Sequence, residues 1–168
     1  MDWLQILSNT GASILSPATI ADALAAVGLA VHFGYTGLLN MGIAAYMAIG
    51  AYGYAISILT FGLPWWGGIL IGMGASVVFS LILGIPTLRL RGDYLAIVTI
   101  AAAEVVRLLF LTTAFEPVTG SADGLSGYHQ SFRAANPIPP GIYGFGPWVY
   151  NETDWWVRIF GITILAIA

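Results

Sequence analysis

The chain has 168 residues, of which 58% are hydrophobic and only 8% are charged. An ordinary soluble domain carries about 25% charged residues, so this chain has too little charge to cover a water-facing surface. Lipid-facing surfaces need no such coat, and the composition therefore predicts an integral membrane protein. The net charge of −3 is too small to indicate a charged partner.

Missing residue types exclude several kinds of functional site. The absence of cysteine excludes disulfides, thiolate metal sites and cysteine nucleophiles. Lysine is also absent, so the chain cannot form the Gly-Lys-Ser/Thr phosphate loop of an ATPase. Five arginines spread along the chain make no basic patch for nucleic acid. No catalytic triad, carboxylate pair or metal-ligand spacing is present, and we expect no enzymatic activity, no metal site and no cofactor in this chain.

The first segment, residues 1–16, is of mixed polarity. Its apolar side chains, among them Trp3 and Leu7, could form one face of a short interfacial helix. Ser16-Pro17 is typical of a helix N-cap followed by proline at the first helical position.

Four apolar runs follow, and each is predicted to be a transmembrane helix. The last has about 21 residues, or roughly 31 Å as a helix, which is close to the hydrocarbon thickness of a bilayer. Tight turns and short polar links separate the runs, and Ile85-Pro86 is predicted to end the third. The predicted spans are about 17–33, 38–61, 65–84 and 93–113.

The remainder of the chain has two parts. Residues 114–154 are rich in proline, glycine and aromatic residues and predict a long water-exposed loop, which is usually functional. Residues 155–168 begin a fifth apolar run of roughly 21 Å, too short to cross a bilayer. We therefore expect a truncated fifth span and a chain that is a portion of a larger protein. The predicted fold is all-α: a polytopic transmembrane bundle with one broken or re-entrant region and a long external loop.

The arginines predict the orientation of the bundle. Arg89 and Arg91 lie in the short link before the fourth run, followed by Gly92 and Asp93. The positive-inside rule assigns this link to the cytoplasm. The 114–154 loop then lies outside the cell, and acids outnumber its one arginine.

The junction of the first two runs is the first candidate site. Gly34, Gly37, Asn40 and Gly42 lie there. Backbone that leaves the helix at membrane depth must line a cavity or be buried in protein, and transporters use such broken helices to contact a substrate. An ordinary turn between helices is the alternative interpretation.

Glu104 and Arg107 form the second candidate site. Spaced three residues apart, they share a helical face and can pair. Both are costly in lipid and should therefore face protein or water. The pair is either a pathway or gating element or a structural ion pair, and a proton relay is less favoured because no second intramembrane carboxylate is near in sequence.

Small residues suggest how the helices pack. The second run is so rich in glycine and alanine that we expect it at the centre of the bundle. Gly68 and Gly72 form a G-x-x-x-G motif in the third run, which we interpret as close helix packing.

Three stretches, in this order, resemble one family. Residues 28–42 have the sequence GLAVHFGYTGLLNMG, residues 88–99 have LRLRGDYLAIVT followed by EVVRL at 104–108, and residues 119–125 have TGSADGL. Together they resemble the branched-chain amino-acid ABC importer permeases. The second stretch is the most similar and is specific to the LivM-type subunit.

The 119–125 stretch resembles the Thr-Gly-Gly-x-Asn-Gly loop of that family. Gly120 and Gly124 match the motif, whereas Ser121 and Asp123 replace its second glycine and its asparagine. On the predicted outer side, the added charge of Asp123 could alter the docking of an external partner.

The resemblance implies an importer subunit in the plasma (inner) membrane of a bacterium or archaeon, surrounded by lipid. Such a permease pairs with a second, LivH-like permease, and cytoplasmic ATPase subunits hydrolyse ATP. An external binding protein delivers branched-chain amino acids or related solutes. Two alternatives stay open: an ion- or proton-coupled secondary transporter that uses Glu104, and a membrane scaffold subunit that transports nothing.

Overall fold

The computed structural model describes residues 3–38, 40–87, 89–145 and 148–168. The predicted segments also include residues that lie outside this description: Met1, Asp2, Leu39, Leu88, Gly146 and Pro147. The chain divides into two compact units, one formed by Met1–Gly28 with Arg133–Ala168 and the other by Leu29–Phe132.

Helices dominate the described chain. The α-helices are α1 Trp3–Ile14, α2 Pro17–Thr36, α3 Ile43–Phe61, α4 Trp65–Thr87, α5 Gly92–Leu111, α6 Glu116–Thr119, α7 Gln130–Ala134 and α8 Glu152–Ile167. Single 3-10 turns occupy Thr113–Phe115 and Ser121–Asp123. The described strands are β1 Ile142–Phe145 and β2 Trp148–Asn151. Helices α2 to α5 are long and apolar enough to cross a membrane, in agreement with the predicted polytopic bundle.

The ends of all four spanning helices differ from the prediction. Helix α3 begins at Ile43 rather than at residue 38, and α5 ends at Leu111 rather than at residue 113. Helix α2 continues through Gly34 to Thr36, because a helical glycine costs only about 1 kcal/mol relative to alanine. That cost is smaller than leaving backbone groups unpaired in an apolar environment. Helix α4 continues through Pro86 to Thr87, whose hydroxyl donates to the carbonyl of Leu83 at 2.7 Å within the last turn. The predicted ends at residues 33 and 84 are therefore too early.

In the Leu29–Phe132 unit, α3 is the central helix and packs against both α4 and α5. Its contact with α4 depends on glycine: a Cβ added to Gly72 would lie 2.6 Å from the carbonyl oxygen of Gly50, and one added to Gly53 would lie 3.1 Å from Gly72 Cα. The hydroxyl of Ser76 donates across this contact to the carbonyl of Tyr46 at 3.3 Å. These contacts confirm the central position of the second run and the packing role of G-x-x-x-G.

The unit formed by Met1–Gly28 and Arg133–Ala168 contains α1, the start of α2, the β1–β2 hairpin and α8. The predicted N-cap is confirmed, since the hydroxyl of Ser16 accepts the Thr19 amide at 3.2 Å. The indole of Trp148 donates to the carbonyl of Ser8 at 3.3 Å and joins the hairpin to α1. Arg158 of α8 donates to the Leu15 carbonyl at 2.9 Å, and this hydrogen bond links α8 to the segment that follows α1.

The long segment predicted as a loop contains more regular structure than its sequence indicated. Strands β1 and β2 pair antiparallel, from Ile142 opposite Asn151 to Phe145 opposite Trp148. Three of the four residues in each strand are aromatic or β-branched and have high strand propensity. Helix α8 begins at Glu152, directly after β2. The sequence predicts its start three residues later, at Trp155, where the apolar run begins.

Candidate functional site

The junction of α2 and α3 begins at Gly37. This residue has φ +65°, and its amide donates to the carbonyl of Phe33 at 2.9 Å. The left-handed conformation ends α2, as glycine commonly does at a helix C-terminus. Gly34 lies one turn earlier, inside α2, with open space around its Cα. Of these two predicted site residues, only Gly37 belongs to the break.

The next described residues of the junction, Asn40 to Gly42, are bonded internally and to α5. The side-chain oxygen of Asn40 accepts the amide of Gly42 at 2.9 Å. The amide of Met41 donates to the hydroxyl of Thr99, in the middle of α5, at 3.1 Å. Because these amides have protein partners, the chain can leave the helix here without exposing them to an apolar environment.

Thr99 was not among the residues that the sequence singled out. It is 1% exposed, and its hydroxyl also donates to the carbonyl of Ala96 at 2.9 Å. Thr99 ends the 88–99 stretch that carries the family resemblance, but its physical signal was only a hydroxyl in an apolar run, and such a side chain often just binds its own helix. Its partner Met41 is far away in sequence, so the pairing could not be predicted from spacing.

Gly42 is required by the approach of α5. It is buried, and a Cβ added to it would lie 2.8 Å from the carbonyl oxygen of Thr99 and 3.3 Å from Thr99 Cβ. Its φ is −85°, which any residue can adopt. The close contact alone, and no special backbone conformation, therefore favours glycine at this position.

A groove of about 690 Å³ lies between α3 and α5, next to this junction. Met41 borders it, and α3 contributes Ala44, Ala48 and Tyr52, which recur every four residues and so share one helical face. The small alanine side chains leave the groove open. Helix α5 contributes a single face with three- and four-residue spacing: Ile100, Ala103, Glu104, Arg107, Phe110 and Leu111.

Glu104 and Arg107 supply the only charges among the residues that line this groove. The Nε of Arg107 donates to one carboxylate oxygen of Glu104 at 2.9 Å, and a terminal nitrogen donates to the other at 2.6 Å. The Arg107 and Glu104 side chains are 59% and 54% exposed, respectively, in the unit. This two-point pair is electrically neutral, and its charges remain accessible from the groove. The predicted pairing is confirmed.

The external-loop candidates Gly120, Asp123 and Gly124 form a compact turn at the end of α5. Gly120 has φ +70°, and an added Cβ would collide with the carbonyl of Gly124. The hydroxyl of Ser121 donates to the Leu111 carbonyl at 2.8 Å and so satisfies a carbonyl at the C-terminus of α5. Asp123 has an exposed side chain. The turn is therefore attached to α5 while presenting its acid outward.

Ser121 is the one described non-glycine residue with positive φ, at +47°. This left-handed region suits glycine, the residue that the similar family motif has here. The hydrogen bond to Leu111 offers a physical reason why serine is tolerated at this position.

Tyr52 borders both the groove and a second cavity. Tyr52 stacks on Phe110 with ring centroids 4.1 Å apart. Tyr52 also lines a smaller cavity of about 250 Å³ with Tyr54 and with Leu125 and Tyr128, which follow the turn. Tyr52 is thus a lining residue that the ion-pair groove and the smaller cavity share.

The predicted cytoplasmic residues lie apart from the groove lining. Arg89, Arg91, Gly92 and Asp93 are all exposed at the start of α5. Arg91 occupies the N-cap position, and Asp93 lies in the first helical turn, where a carboxylate interacts favourably with the helix dipole. The structure brings Glu104 and Arg107 into one groove with Met41, whereas the predicted site residues Asn40 and Gly42 do not line that groove, and neither does this link.

Residues 13–168 match the family described as branched-chain amino acid transport system / permease component. The chain belongs to this family. This permease chain is thus a multi-pass membrane protein, and its groove lies within the matched region.

Two curated relatives match the permease chain. They are the high-affinity branched-chain amino acid transport system permease proteins LivM of Salmonella typhimurium and Escherichia coli, each 38% identical over 124 residues. The match covers 74% of this chain but only 28% of each relative. The chain therefore corresponds to little more than a quarter of the relatives' length. No solved structure matches it.

Proposed function

We propose that this chain forms part of the solute pathway in a permease subunit of an ABC importer for branched-chain amino acids or related small solutes. The observation that carries the proposal is the α3–α5 groove. Met41, from a non-helical segment whose Met41 and Gly42 amides are bonded within the protein, borders it together with a paired acid and base in an otherwise mainly apolar wall. Charges are retained at membrane depth mainly where they face protein, water or a solute.

The proposal assigns a role to each predicted region. Gly42 allows the start of α3 to approach α5 closely, and Asn40 binds the Gly42 amide; neither residue lines the groove, which Met41 between them borders. Glu104 and Arg107 contact or gate the solute. Gly34 and Gly37 do not line the groove, and we assign them to the geometry of α2.

The same proposal extends to partners and location. The turn with exposed Asp123 would face an external binding protein, and the link with Arg89 and Arg91 would face the cytoplasm. A second, LivH-like permease would complete the pathway, and ATPase subunits would supply ATP hydrolysis, with no cofactor bound by this chain. The relatives are bacterial transport permeases, which supports the inner membrane of a bacterium or archaeon as the location.

The test is transport by the full-length protein, reconstituted with its partner subunits and binding protein in liposomes. Ala48→Leu fills the groove from the α3 side, since Ala48 lines it. If the larger side chain costs about 1–3 kcal/mol when solute enters the groove, ATP-dependent leucine uptake should fall roughly 10- to 100-fold. Ala101→Leu is the matched control, because Ala101 is exposed on α5 outside the groove lining, and uptake should be unchanged.

Two results would count against this assignment. Wild-type uptake that does not depend on ATP would exclude the importer function. Equal uptake by the Ala48→Leu and Ala101→Leu proteins would show that solute does not pass through this groove.

A secondary transporter is the second candidate, because Glu104 is an intramembrane carboxylate that could carry a coupling proton. Glu104 forms an ion pair with Arg107, and no second acid among the described residues lines the groove as a proton-relay partner. This arrangement favours the importer. Uptake driven by a proton gradient without ATPase subunits would reverse that preference.

A further inference from the structure

The groove contains one acid and one base on adjacent turns of α5, and its other walls are mainly apolar. Glu104 and Arg107 are paired with each other, so the groove is neutral before any solute enters. Both side chains keep more than half of their surface exposed within the unit. Each therefore has hydrogen-bonding capacity left for a ligand: carboxylate lone pairs on Glu104 and guanidinium N–H groups on Arg107.

We propose that Glu104 and Arg107 bind the head group of a zwitterionic solute inside the groove, with the solute ammonium on Glu104 and its carboxylate on Arg107. This inference rests on the proposed function, because it requires that the groove admit solute. It deepens that function by assigning selectivity to Glu104 and Arg107. These two side chains would favour amino acids over uncharged amides and over solutes that carry only one of the two charges.

Charge balance is the first argument for a zwitterion. A solute with one positive and one negative group replaces a single ion pair by two, and no net charge enters the apolar environment. A solute with only one of the two charges would introduce a charge without its counter-charge, which is costly where water is scarce. An uncharged amide avoids that cost but gains no charge-assisted hydrogen bonds.

Arginine geometry is the second argument. A guanidinium presents several N–H groups in a plane, and these match the two oxygens of a carboxylate. In the structure Arg107 uses only Nε and one terminal nitrogen to bind Glu104. Its remaining N–H groups can bind a solute carboxylate while the contact with Glu104 is partly retained.

The apolar lining fits the other end of the solute. Ile100, Phe110 and Leu111 lie on the same face of α5 as the pair, and Ala44 and Ala48 leave space opposite them. Ligand sites typically combine such apolar walls with a few oriented polar groups, in volumes of about 300–1,000 Å³. The groove volume of about 690 Å³ lies in this range. A branched aliphatic side chain would be buried there.

The inference can be tested on the wild-type complex with four ligands of similar shape. The full-length protein and its partner subunits are placed in nanodiscs without binding protein, and radiolabelled L-leucine is displaced by unlabelled competitors. L-leucine carries both charges, 4-methylpentanoate lacks the ammonium, 3-methylbutylamine lacks the carboxylate, and 4-methylpentanamide carries neither. Each of the three analogues should compete roughly 10- to 100-fold less well than L-leucine, as expected for the loss of charge-assisted hydrogen bonds.

Two variants connect these preferences to the side chains. Glu104→Gln should abolish the preference for leucine over 4-methylpentanoate, because the ammonium loses its partner. Arg107→Gln should abolish the preference for leucine over 3-methylbutylamine. Glu116→Gln neutralises an exposed acid of α6 outside the groove and should preserve the wild-type preferences. A purely structural ion pair would change overall affinity or stability but not these ratios.

The outcomes separate this inference from the proposed function. Equal competition by leucine and 4-methylpentanamide on the wild-type complex would overturn the zwitterion site even if ATP-dependent uptake is normal. The same conclusion follows from unchanged ratios in both variants, or from the absence of saturable leucine binding. Failure of ATP-dependent uptake would instead contradict the importer function, which the displacement assay does not measure.

Discussion

Replacing Gly42 by alanine should destabilise the contact between α3 and α5. The added Cβ would lie 2.8 Å from the carbonyl oxygen of Thr99, whereas ordinary contacts are 3.4–4 Å. The backbone at Gly42 has φ −85°, so alanine can adopt it and the penalty arises from the contact alone. Relief requires the two helices to separate by at least about 0.6 Å, and overpacking of this kind costs about 1–3 kcal/mol.

The matched control is Gly34→Ala. Gly34 lies in α2 with no atom within 4 Å of an added Cβ, so alanine should be neutral or stabilise the helix by up to about 1 kcal/mol. The free energy of unfolding of the full-length protein is measured by sodium dodecyl sulfate titration in mixed micelles. A Gly42→Ala protein as stable as the Gly34→Ala protein would refute the close approach of α3 to α5.

Two further predictions concern the packing of α3. Thr99→Val keeps the shape of the side chain but removes the hydroxyl that accepts a hydrogen bond from the Met41 amide, and it should lower the free energy of unfolding by about 1–3 kcal/mol in the same titration. Thr99→Ser keeps the hydroxyl and should retain most of the stability. Equal loss of stability in both proteins would contradict the hydrogen bond. Gly72→Ala brings a Cβ to 2.6 Å from the Gly50 carbonyl and should destabilise the protein by about 1–3 kcal/mol, whereas Gly74→Ala meets open space and should be neutral. Similar stabilities of these two alanine proteins would show that α3 and α4 do not cross at Gly72.

Much of the fold could be predicted because membrane helices obey a strong local rule. An apolar run must satisfy its own backbone hydrogen bonds, so length and hydropathy suffice to predict a span, and α2 to α5 follow the predicted runs. Helix ends were predicted less well. Gly34 and Pro86 looked like breaks, but both stay helical because the helix can absorb a glycine and the Thr87 hydroxyl binds a carbonyl of the last turn of α4.

The candidate site was predicted in part. The spacing of Glu104 and Arg107 was sufficient to predict their pairing, because residues three apart on a helix are neighbours whatever the rest of the chain does. The role of Thr99 could not be predicted in this way. Its partner, the Met41 amide, comes from a different helix junction, and only folding brings the two together.

The sequence by itself determined that this is a helical membrane protein, where its spans lie and which two charges pair, since each of these depends on composition or on neighbours along one helix. The tertiary structure decided which of the small residues lie against another helix and which segments border the groove that contains the ion pair. Gly34 and Gly42 look alike in sequence, yet only Gly42 lies against another helix. That difference depends on the distance between backbones, and local sequence does not encode the distance between two helices.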